Sequence, residues 1–324
     1  MKVGLSSPGS NFMRKYGTVI VALLAFAFFS FATNGFFTMK NIMLLLKQMA
    51  ALTIVSLGFT FVMSAGGFDM SVGYATGLIA ILFVKVLMAT GNFLLALLVG
   101  LAMGALVGVV NGVLVSYIGL PDFIGTFAVG SVVSGIKMML TEGNPIYVKG
   151  VESAGIEFFR SINSKYFFGV IPAMAVIMLV CVVICYVLME KTILGRRIYA
   201  IGGNREAALF SGINVKKYRF ITYLISGITV AISAVLVCSR LNSAQPTSGE
   251  SFLMDAISSV YLSTTMFGEG QPTVLGTIVG AFIISMLSNG LTMLGMLYFF
   301  QDITTGVVVI LAVLMSVVMN KKNK

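Results

Sequence analysis

The sequence predicts an all-α membrane protein with about ten transmembrane helices in a single transmembrane domain, residues 1–324. Of its 324 residues 58% are hydrophobic and only 10% are charged, and the mean hydropathy is +1.02. Apolar runs of around twenty residues recur along the chain, which is the length that crosses the hydrocarbon core of a bilayer. The net charge of +10 is concentrated between these runs. We attribute it to orientation against anionic lipid, and we expect no nucleic-acid partner.

The first apolar run, residues 17–33, is interpreted as a span and not as a cleavable signal. It follows Lys2, Arg14 and Lys15, exceeds the apolar region of a typical signal peptide, and lacks a small-x-small exit before Asn34. Nine further runs are also predicted to be spans. Span 8 is unusually rich in serine and threonine. The ten predicted spans cover residues 17–33, 42–65, 71–90, 92–118, 122–140, 167–189, 218–239, 252–268, 273–296 and 299–319.

The distribution of lysine and arginine predicts the orientation. If both termini lie in the cytoplasm, thirteen of the 21 positive residues fall inside, in the two tails and in the loop 190–219. The outer segment 141–166 is then balanced in charge. This orientation places Lys47, Lys85 and Lys137 near the outer ends of their spans, where we expect each ammonium group to reach the membrane interface.

The loop 190–219 is the longest strongly basic stretch, and it is predicted to contain one short helix. Asn204 is a candidate N-cap, Glu206 lies in the first turn, and Gly212 is suited to the position after the helix end, where φ is positive. We expect an exposed surface that docks a soluble partner; the alternative is a connector lying on lipid headgroups. The predicted docking-helix residues are Asn204, Arg205, Glu206, Ala207, Ala208, Leu209, Phe210 and Gly212.

Polar residues within or beside the spans are candidates for a translocation pathway. Asp69 and Ser71 lie in the glycine-rich link between spans 2 and 3, which predicts a tight non-helical turn. Asp69 is either part of a polar path or an N-cap for span 3. Asn111 and Asn289 either face a path or bridge helices by hydrogen bonds. Segment 245–255 is interpreted as an outer loop, and the candidate pathway residues are Asp69, Ser71, Asn111, Phe123 and Asn289.

A faint internal repeat relates the two halves of the chain. Asn111-Gly112 in span 4 and Asn289-Gly290 in span 9 each follow a Gly-Ala pair, at 104–105 and 280–281. An offset of five spans gives the two copies opposite orientations, so the sequence predicts a five-plus-five inverted repeat of the kind found in many transporters.

Several classes of function are disfavoured by what the sequence lacks. The chain has no histidine, and Cys181 and Cys185 lie one helical turn apart in an apolar run, which favours core packing over a metal site or a disulfide. We therefore expect no enzyme activity, no metal and no cofactor. An ion-coupled secondary transporter of a small polar solute is the alternative function, but the central halves of the spans carry no ionisable residue for coupling. The sequence contains no GxxxxGK(S/T) phosphate-binding loop.

Five segments in order resemble the permease subunits of ribose-type, or simple-sugar, ATP-binding cassette importers. They are GGFDMSVG at 66–73, VNGVLVSYIGLPDFIGT at 110–126, GRRIYAIGGNREAALFSGI at 195–213, AQPTSGESFLMDAISSVYL at 244–262 and VLGTIVGAFIISMLSNGLTMLG at 274–295. The resemblance runs from about span 2 to span 10.

The resemblance implies a function and a set of partners. It implies a subunit that carries a monosaccharide or sugar-like solute across a bacterial inner membrane. It further implies a cytoplasmic ATPase that holds the loop 190–219 as a coupling loop, a second permease copy or homologue, and an extracytoplasmic solute-binding protein. One departure concerns residues 263–271, where this chain has few of the glycines typical of the family. The sequence does not identify the sugar.

Overall fold

The computed structural model describes residue 20, residues 22–266 and residues 270–321, and in these residues the protein is almost entirely helical. Residues 1–19, residue 21 and residues 322–324 lie outside the described residues, as do residues 267–269 of the predicted glycine-poor segment 263–271. The helices are α1 Ala22–Ala32, α2 Met39–Ser64, α3 Val72–Thr90, α4 Phe93–Gly112, α5 Asp122–Thr141, α6 Ala154–Ser164, α7 Ala173–Tyr186, α8 Ile193–Gly203, α9 Arg205–Phe210, α10 Val215–Leu241, α11 Glu250–Thr265, α12 Val274–Met293 and α13 Tyr298–Lys321.

Two helices continue into wider π-helical turns, and four short strands form two antiparallel pairs, of which only β2–β3 is a hairpin. The π-helical segments are Val113–Ile118 after α4 and Val187–Lys191 after α7. Strand β1 (Ile146–Tyr147) pairs antiparallel with β4 (Ser243–Ala244), and β2 (Tyr166–Phe167) pairs antiparallel with β3 (Ile171–Pro172).

Seven helices in the described part of the chain are long and apolar enough to cross a membrane. They are α2, α3, α4 with its π-helical extension, α5, α7 with its extension, α10 and α12. Six of them agree with predicted spans to within about three residues. Helices α1, α11 and α13 lie at the positions of the three remaining predicted spans but are not among the seven. The protein is therefore a multi-pass membrane protein.

The sequence interpretation is wrong in three places. Span 6 was predicted from residue 167, but residues 166–172 form the β2–β3 hairpin and α7 begins after Pro172. The predicted loop 245–255 is helical from Glu250, because Gly249 takes a positive φ and allows α11 to begin directly after a turn. The loop 190–219 contains a second helix, α8, that the prediction missed.

The core lies where α2, α3 and α10 meet, while α4, α5 and α7 expose much of their apolar surface. This distribution is typical of helices that face lipid or another membrane subunit. Helices α4 and α10 approach closely because both carry glycine at the contact. A Cβ added at Gly104 would lie 2.3 Å from the carbonyl oxygen of Gly227, and one added at Gly227 would lie 2.0 Å from that of Gly104.

Helix α10 defines two ends of the molecule. Its first turn follows α9, so we call this the α9 end; its last turn leads to β4, which pairs with β1 close to α6, so we call the other the α6 end. At 27 residues, α10 spans about 40 Å between them.

The three lysines near the α6 end behave differently from one another. Lys85 is exposed and donates to the carbonyl oxygen of Leu140 at 2.7 Å, and Lys47 donates to that of Asn163 at 2.6 Å. The prediction for Lys137 is wrong, because its side chain is fully buried and forms an ion pair with Glu250 at 2.7 Å. The carboxylate compensates the ammonium group for the loss of water, so this lysine has no need to reach the interface.

Candidate functional site

The link between α2 and α3 is the centre of a buried polar group that we call the Asp69 cluster: Asp69, Ser71, Asn111 and Ser226. Asp69 is 2% exposed, and its Oδ1 accepts hydrogen bonds from the backbone N–H of Ser71 at 3.0 Å and from its hydroxyl at 2.6 Å. Ser226 of α10 donates to the other carboxylate oxygen at 2.9 Å. Asn111 of α4 donates to Ser71 Oγ at 2.7 Å and to Asp69 Oδ1 at 3.4 Å. The cluster thus joins the link to two helices.

Opposing influences act on the ionisation of Asp69. Burial raises the pKa of the Asp69 carboxyl, and the nearby Asp122 carboxylate adds to the increase. Hydrogen bonds donated by Ser71 and Ser226 act in the opposite direction because they favour the charged form. The amide oxygen of Asn111 makes no hydrogen bond within the described residues, so it is the one unsatisfied atom of the cluster.

A second carboxylate, at the first residue of α5, holds the same link from the other side. Asp122 forms an ion pair with Arg219 of α10 at 2.5 Å, and the same oxygen accepts from the hydroxyl of Tyr223 at 2.8 Å. It also accepts from the backbone N–H of Phe68 at 3.2 Å, while Thr126 accepts from that of Met70 at 2.9 Å. The link is therefore fixed to the start of α5 and to the first turns of α10.

Arg219 corrects one part of the sequence interpretation. The sequence analysis counted it among the basic residues of the loop 190–219, where an exposed docking surface was expected. In the structure Arg219 is 6% exposed and is paired with Asp122. Its partner lies 97 residues away in the sequence, so no local pattern identified it.

Helix α9 has the end structures predicted for it. The side chain of Asn204 accepts from the backbone N–H of Ala207 at 2.9 Å, which confirms the N-cap. At the other end Gly212 has φ +77°, its N–H bonds to Leu209, and the N–H of Ile213 bonds to Ala208. These two bonds form a Schellman motif, so the predicted role of Gly212 is also confirmed.

The exposed face of α9 is narrower than predicted. Ala208 was expected at the surface, but it is buried against Ile201 of α8 and Val215 of α10. These three side chains form a small apolar cluster that packs α9 against α8 and α10. Leu209 and Phe210 project outward and are 60% and 88% exposed. Arg205, Glu206 and Ala207 are exposed as well.

The loop 190–219 contacts the α2–α3 link directly through backbone. A Cβ added at Gly202, near the end of α8, would lie 2.0 Å from the carbonyl oxygen of Ser64, the last residue of α2. This contact packs α8 against the end of α2, and the Arg219–Asp122 pair joins α10 to the start of α5 beside the same link.

The five candidate pathway residues divide among three environments. Asp69, Ser71 and Asn111 come together in the Asp69 cluster. Phe123 is exposed on α5, stacked on Phe127 with ring centroids 6.3 Å apart. Asn289 lies elsewhere and exchanges amide hydrogen bonds of 3.0 and 3.2 Å with Asn41 of α2, so it bridges helices.

A cavity of about 520 Å³ lies at the α6 end, and none of the five residues lines it. We call it the Arg240 cavity. Its walls come from α2, α10, α11, α12 and α13, and its charged residues are Arg240, Asp255 and Asp302. Sequence reasoning missed this site, although three ionisable residues close to the ends of apolar helices were a visible signal.

Comparison with known proteins identifies the family. The family model described as "Branched-chain amino acid transport system / permease component" matches residues 41–318. The chain belongs to this permease family. The permease is 37% identical to the ribose import permease protein of Bacillus subtilis over 94% of its own length and 92% of the relative. It is 31% identical to the D-allose transport system permease protein of Escherichia coli, over 96% and 94% of the two chains. No solved structure matches.

Family membership confirms the resemblance found in the sequence. The matched range includes the Asp69 cluster, the Asp122–Arg219 pair, helix α9 and the Arg240 cavity. The permease is a transport protein and not an enzyme, and ATP hydrolysis lies on a separate subunit. The match therefore favours the importer permease over the ion-coupled secondary transporter.

Proposed function

We propose that the permease carries a monosaccharide or sugar-like solute into the cytoplasm as one subunit of an ATP-binding cassette importer. The observation that carries this proposal is the similarity, over more than 90% of the chain, to relatives named for the import of ribose, D-allose and galactose. The other components are a cytoplasmic ATPase, a second permease copy or homologue, and an extracytoplasmic solute-binding protein. The assembly lies in the inner membrane of a bacterium.

Reconstitution tests the proposal. Liposomes containing the permease, its ATPase and its binding protein should take up labelled D-ribose, D-allose or D-galactose only when ATP is present. Omitting the ATPase should abolish uptake. Uptake by the permease alone, driven by an ion gradient, would contradict the proposal and favour a secondary transporter.

The permease crosses the membrane ten times in this proposal, with both termini and the α9 end in the cytoplasm. Two five-span halves of opposite orientation pair α2 with α10, α3 with α11, α4 with α12 and α5 with α13. The packing supports this arrangement, because equivalent neighbours recur in both halves. Helix α3 packs on α4 and α5 as α11 packs on α12 and α13, and α4 packs on α10 as α12 packs on α2.

Cysteine labelling distinguishes the two ends. Ser211→Cys near α9 and Glu157→Cys on α6 both replace exposed residues. An impermeant thiol reagent added outside intact cells should label Glu157→Cys only, and it should label Ser211→Cys after permeabilisation. Labelling of both from outside would refute the proposed orientation.

Helix α9 is the coupling helix of the loop 190–219, and it docks in a groove of the ATPase. The exposed side chains of Leu209 and Phe210 support this role, since apolar groups on a cytoplasmic surface mark sites of protein contact. Burial of Phe210 would contribute about 1.5–3 kcal/mol. The docking residues remain those proposed from the sequence, except that Ala208 faces inward and supports the helix.

Movement of α9 is transmitted to the membrane-spanning helices through Arg219. The ion pair with Asp122 connects the first turns of α10 to α5, and α5 carries the exposed Phe123. We place Phe123 on the solute path and assign the Asp69 cluster to the inner wall beside it. Asn289, which is hydrogen-bonded to Asn41, occupies the position in the second half that Asn111 occupies in the first.

Two matched pairs of variants test the coupling role. Gly212→Val strains the left-handed end of α9, whereas Gly212→Asn tolerates it. Phe210→Asp removes the apolar contact, whereas Phe210→Leu retains most of it. We expect the first variant of each pair to lose transport and ATPase association while still inserting in the membrane, and the second to retain both. Normal transport by Gly212→Val and Phe210→Asp would contradict the coupling role and mean that the loop is only a connector.

A further inference from the structure

The Arg240 cavity combines charged, amide, hydroxyl and aromatic groups contributed by five helices. Gln48 comes from α2, Arg240 from the last turn of α10, Phe252 and Asp255 from α11, and Ser285 from α12. Asp302 comes from α13. The volume of about 520 Å³ lies within the range of about 300–1,000 Å³ typical of small-molecule sites.

Several of these polar groups have no hydrogen-bonded or ionic partner among the described residues. Ser285 is only 5% exposed, yet its hydroxyl makes no hydrogen bond within the described part of the chain. Among the same residues Gln48 and Arg240 likewise have no hydrogen-bonded or ionic partner. Buried polar groups are normally paired, so a hydroxyl that faces a cavity without a partner indicates a site that water or a ligand completes.

Other residues that line the cavity are hydrogen-bonded to one another. Ser288 donates to the amide oxygen of Gln301 at 2.8 Å, and the amide nitrogen of Gln301 donates to Thr292 at 3.0 Å. These two bonds connect α12 to α13 and leave Gln48, Arg240 and Ser285 available.

We infer that the Arg240 cavity is a binding site for a neutral, polyhydroxylated solute, through which the sugar enters the permease at the α6 end. This inference rests on the proposed function and names the residues of its solute site. Carboxylates of Asp255 and Asp302 accept protons from hydroxyl groups, and Arg240 and Gln48 donate to hydroxyl oxygens. Phe252 offers an apolar ring to the C–H face of a sugar.

The lining favours a polyol over the other solutes that a permease of this family carries. A solute anion meets two carboxylates and only one guanidinium. An aliphatic amino acid can pair its charged groups with Arg240 and an aspartate, but its side chain leaves Gln48 and Ser285 without partners. Unpaired polar groups weaken binding, whereas a sugar presents a hydroxyl on nearly every carbon.

The absence of tryptophan from the chain allows a direct binding assay. In the assembled importer, Phe252→Trp places a single tryptophan of the permease in the cavity wall, and an ATPase–binding-protein preparation without the permease supplies the background. We expect D-ribose, D-allose or D-galactose to change the emission of this tryptophan with saturation, and L-leucine to have no effect. A dissociation constant near 1 mM suits a site that must release its solute.

Variants in the same Phe252→Trp background locate the ligand. Asp255→Asn and Ser285→Ala should each weaken the sugar-induced change, by about tenfold for the aspartate and less for the serine. The KM for ATP-driven uptake should rise in parallel. Glu157→Gln, an exposed position on α6, makes the same charge change at the same end and should alter neither. Unfolding temperatures separate a binding defect from a folding defect.

The outcomes distinguish this inference from the proposed function. No emission change with any of the three sugars at about 100 mM, far above a millimolar dissociation constant, overturns the cavity site. An equal response to L-leucine, or unaltered binding in both variants, overturns it as well. If ATP-driven sugar uptake is normal in these cases, the proposed function stands. Sugar binding in the cavity without ATP-dependent uptake would instead preserve the site and refute the importer.

Discussion

The Asp69 cluster and the Arg240 cavity lie at opposite ends of the permease, and they use the same kinds of residues in opposite ways. At the α9 end both carboxylates are paired: Asp69 accepts from Ser71, Ser226 and Asn111, and Asp122 accepts from Arg219 and Tyr223. At the α6 end a guanidinium, an amide and a hydroxyl face open space. Polar groups that satisfy one another hold helices together, whereas polar groups without partners are available to a ligand.

The largest expected difference between the two ends concerns their arginines. Arg219→Met leaves the Asp122 carboxylate beside buried backbone without its ion-pair partner, and we expect a loss of about 3 kcal/mol in the free energy of unfolding. Arg240→Met removes no ion pair present in the described residues and should change stability by less than about 0.5 kcal/mol. Denaturant unfolding in detergent, followed by circular dichroism, measures both.

A second substitution separates loss of a pair from a general effect of removing charge at the α9 end. Asp122→Asn combined with Arg219→Met should recover part of the loss, because the uncompensated carboxylate is gone. Equal destabilisation by Arg219→Met and Arg240→Met would refute the distinction between the two ends.

The aspartates give the second comparison. Four hydrogen-bond donors converge on Asp69, so the amide nitrogen of Asp69→Asn would face donors and leave some of them unpaired. We expect a loss of about 2 kcal/mol. Asp255→Asn should leave the unfolding midpoint nearly unchanged and weaken solute binding. A stable Asp69→Asn variant with impaired solute binding would assign the cluster to the ligand and not to the scaffold.

The serines give the smallest and most finely matched comparison. Ser226→Ala removes a hydroxyl that donates to Asp69 at 2.9 Å, and about 1 kcal/mol of stability should be lost. Ser285→Ala removes a hydroxyl of the same size and similar burial that has no partner in the described chain, so stability should change by less than about 0.5 kcal/mol. Thermal unfolding of the two variants in the same detergent provides the measurement. A larger loss for Ser285→Ala would mean that a bound molecule occupies the cavity throughout.

Local features of the protein were predictable from its sequence, and long-range pairs were not. Seven apolar spans, the tight turn at Gly66, the Asn204 cap and the positive φ of Gly212 each depend on a few consecutive residues. Asp122–Arg219 and Lys137–Glu250 join residues 97 and 113 positions apart, and hydropathy carries no information about such partners.

The Arg240 cavity was not predictable for the same reason. Its lining comes from five helices, and each contributes one to four residues that do not stand out in their own segment. The amphipathic helix α6 and the second loop helix α8 were missed because both lie in segments interpreted as loops. Both have a helical pattern, but one too short to stand out among longer apolar runs.

The glycine contact between α4 and α10 constrains how the importer alternates between its open states. Since a single added carbon would overlap the facing backbone, the two helices have no room to slide or to rotate against each other. We expect them to travel as one rigid body during a transport cycle. A spin-label pair on α4 and α10 should therefore report one constant distance with and without nucleotide. The distances that change should be those from this body to α5.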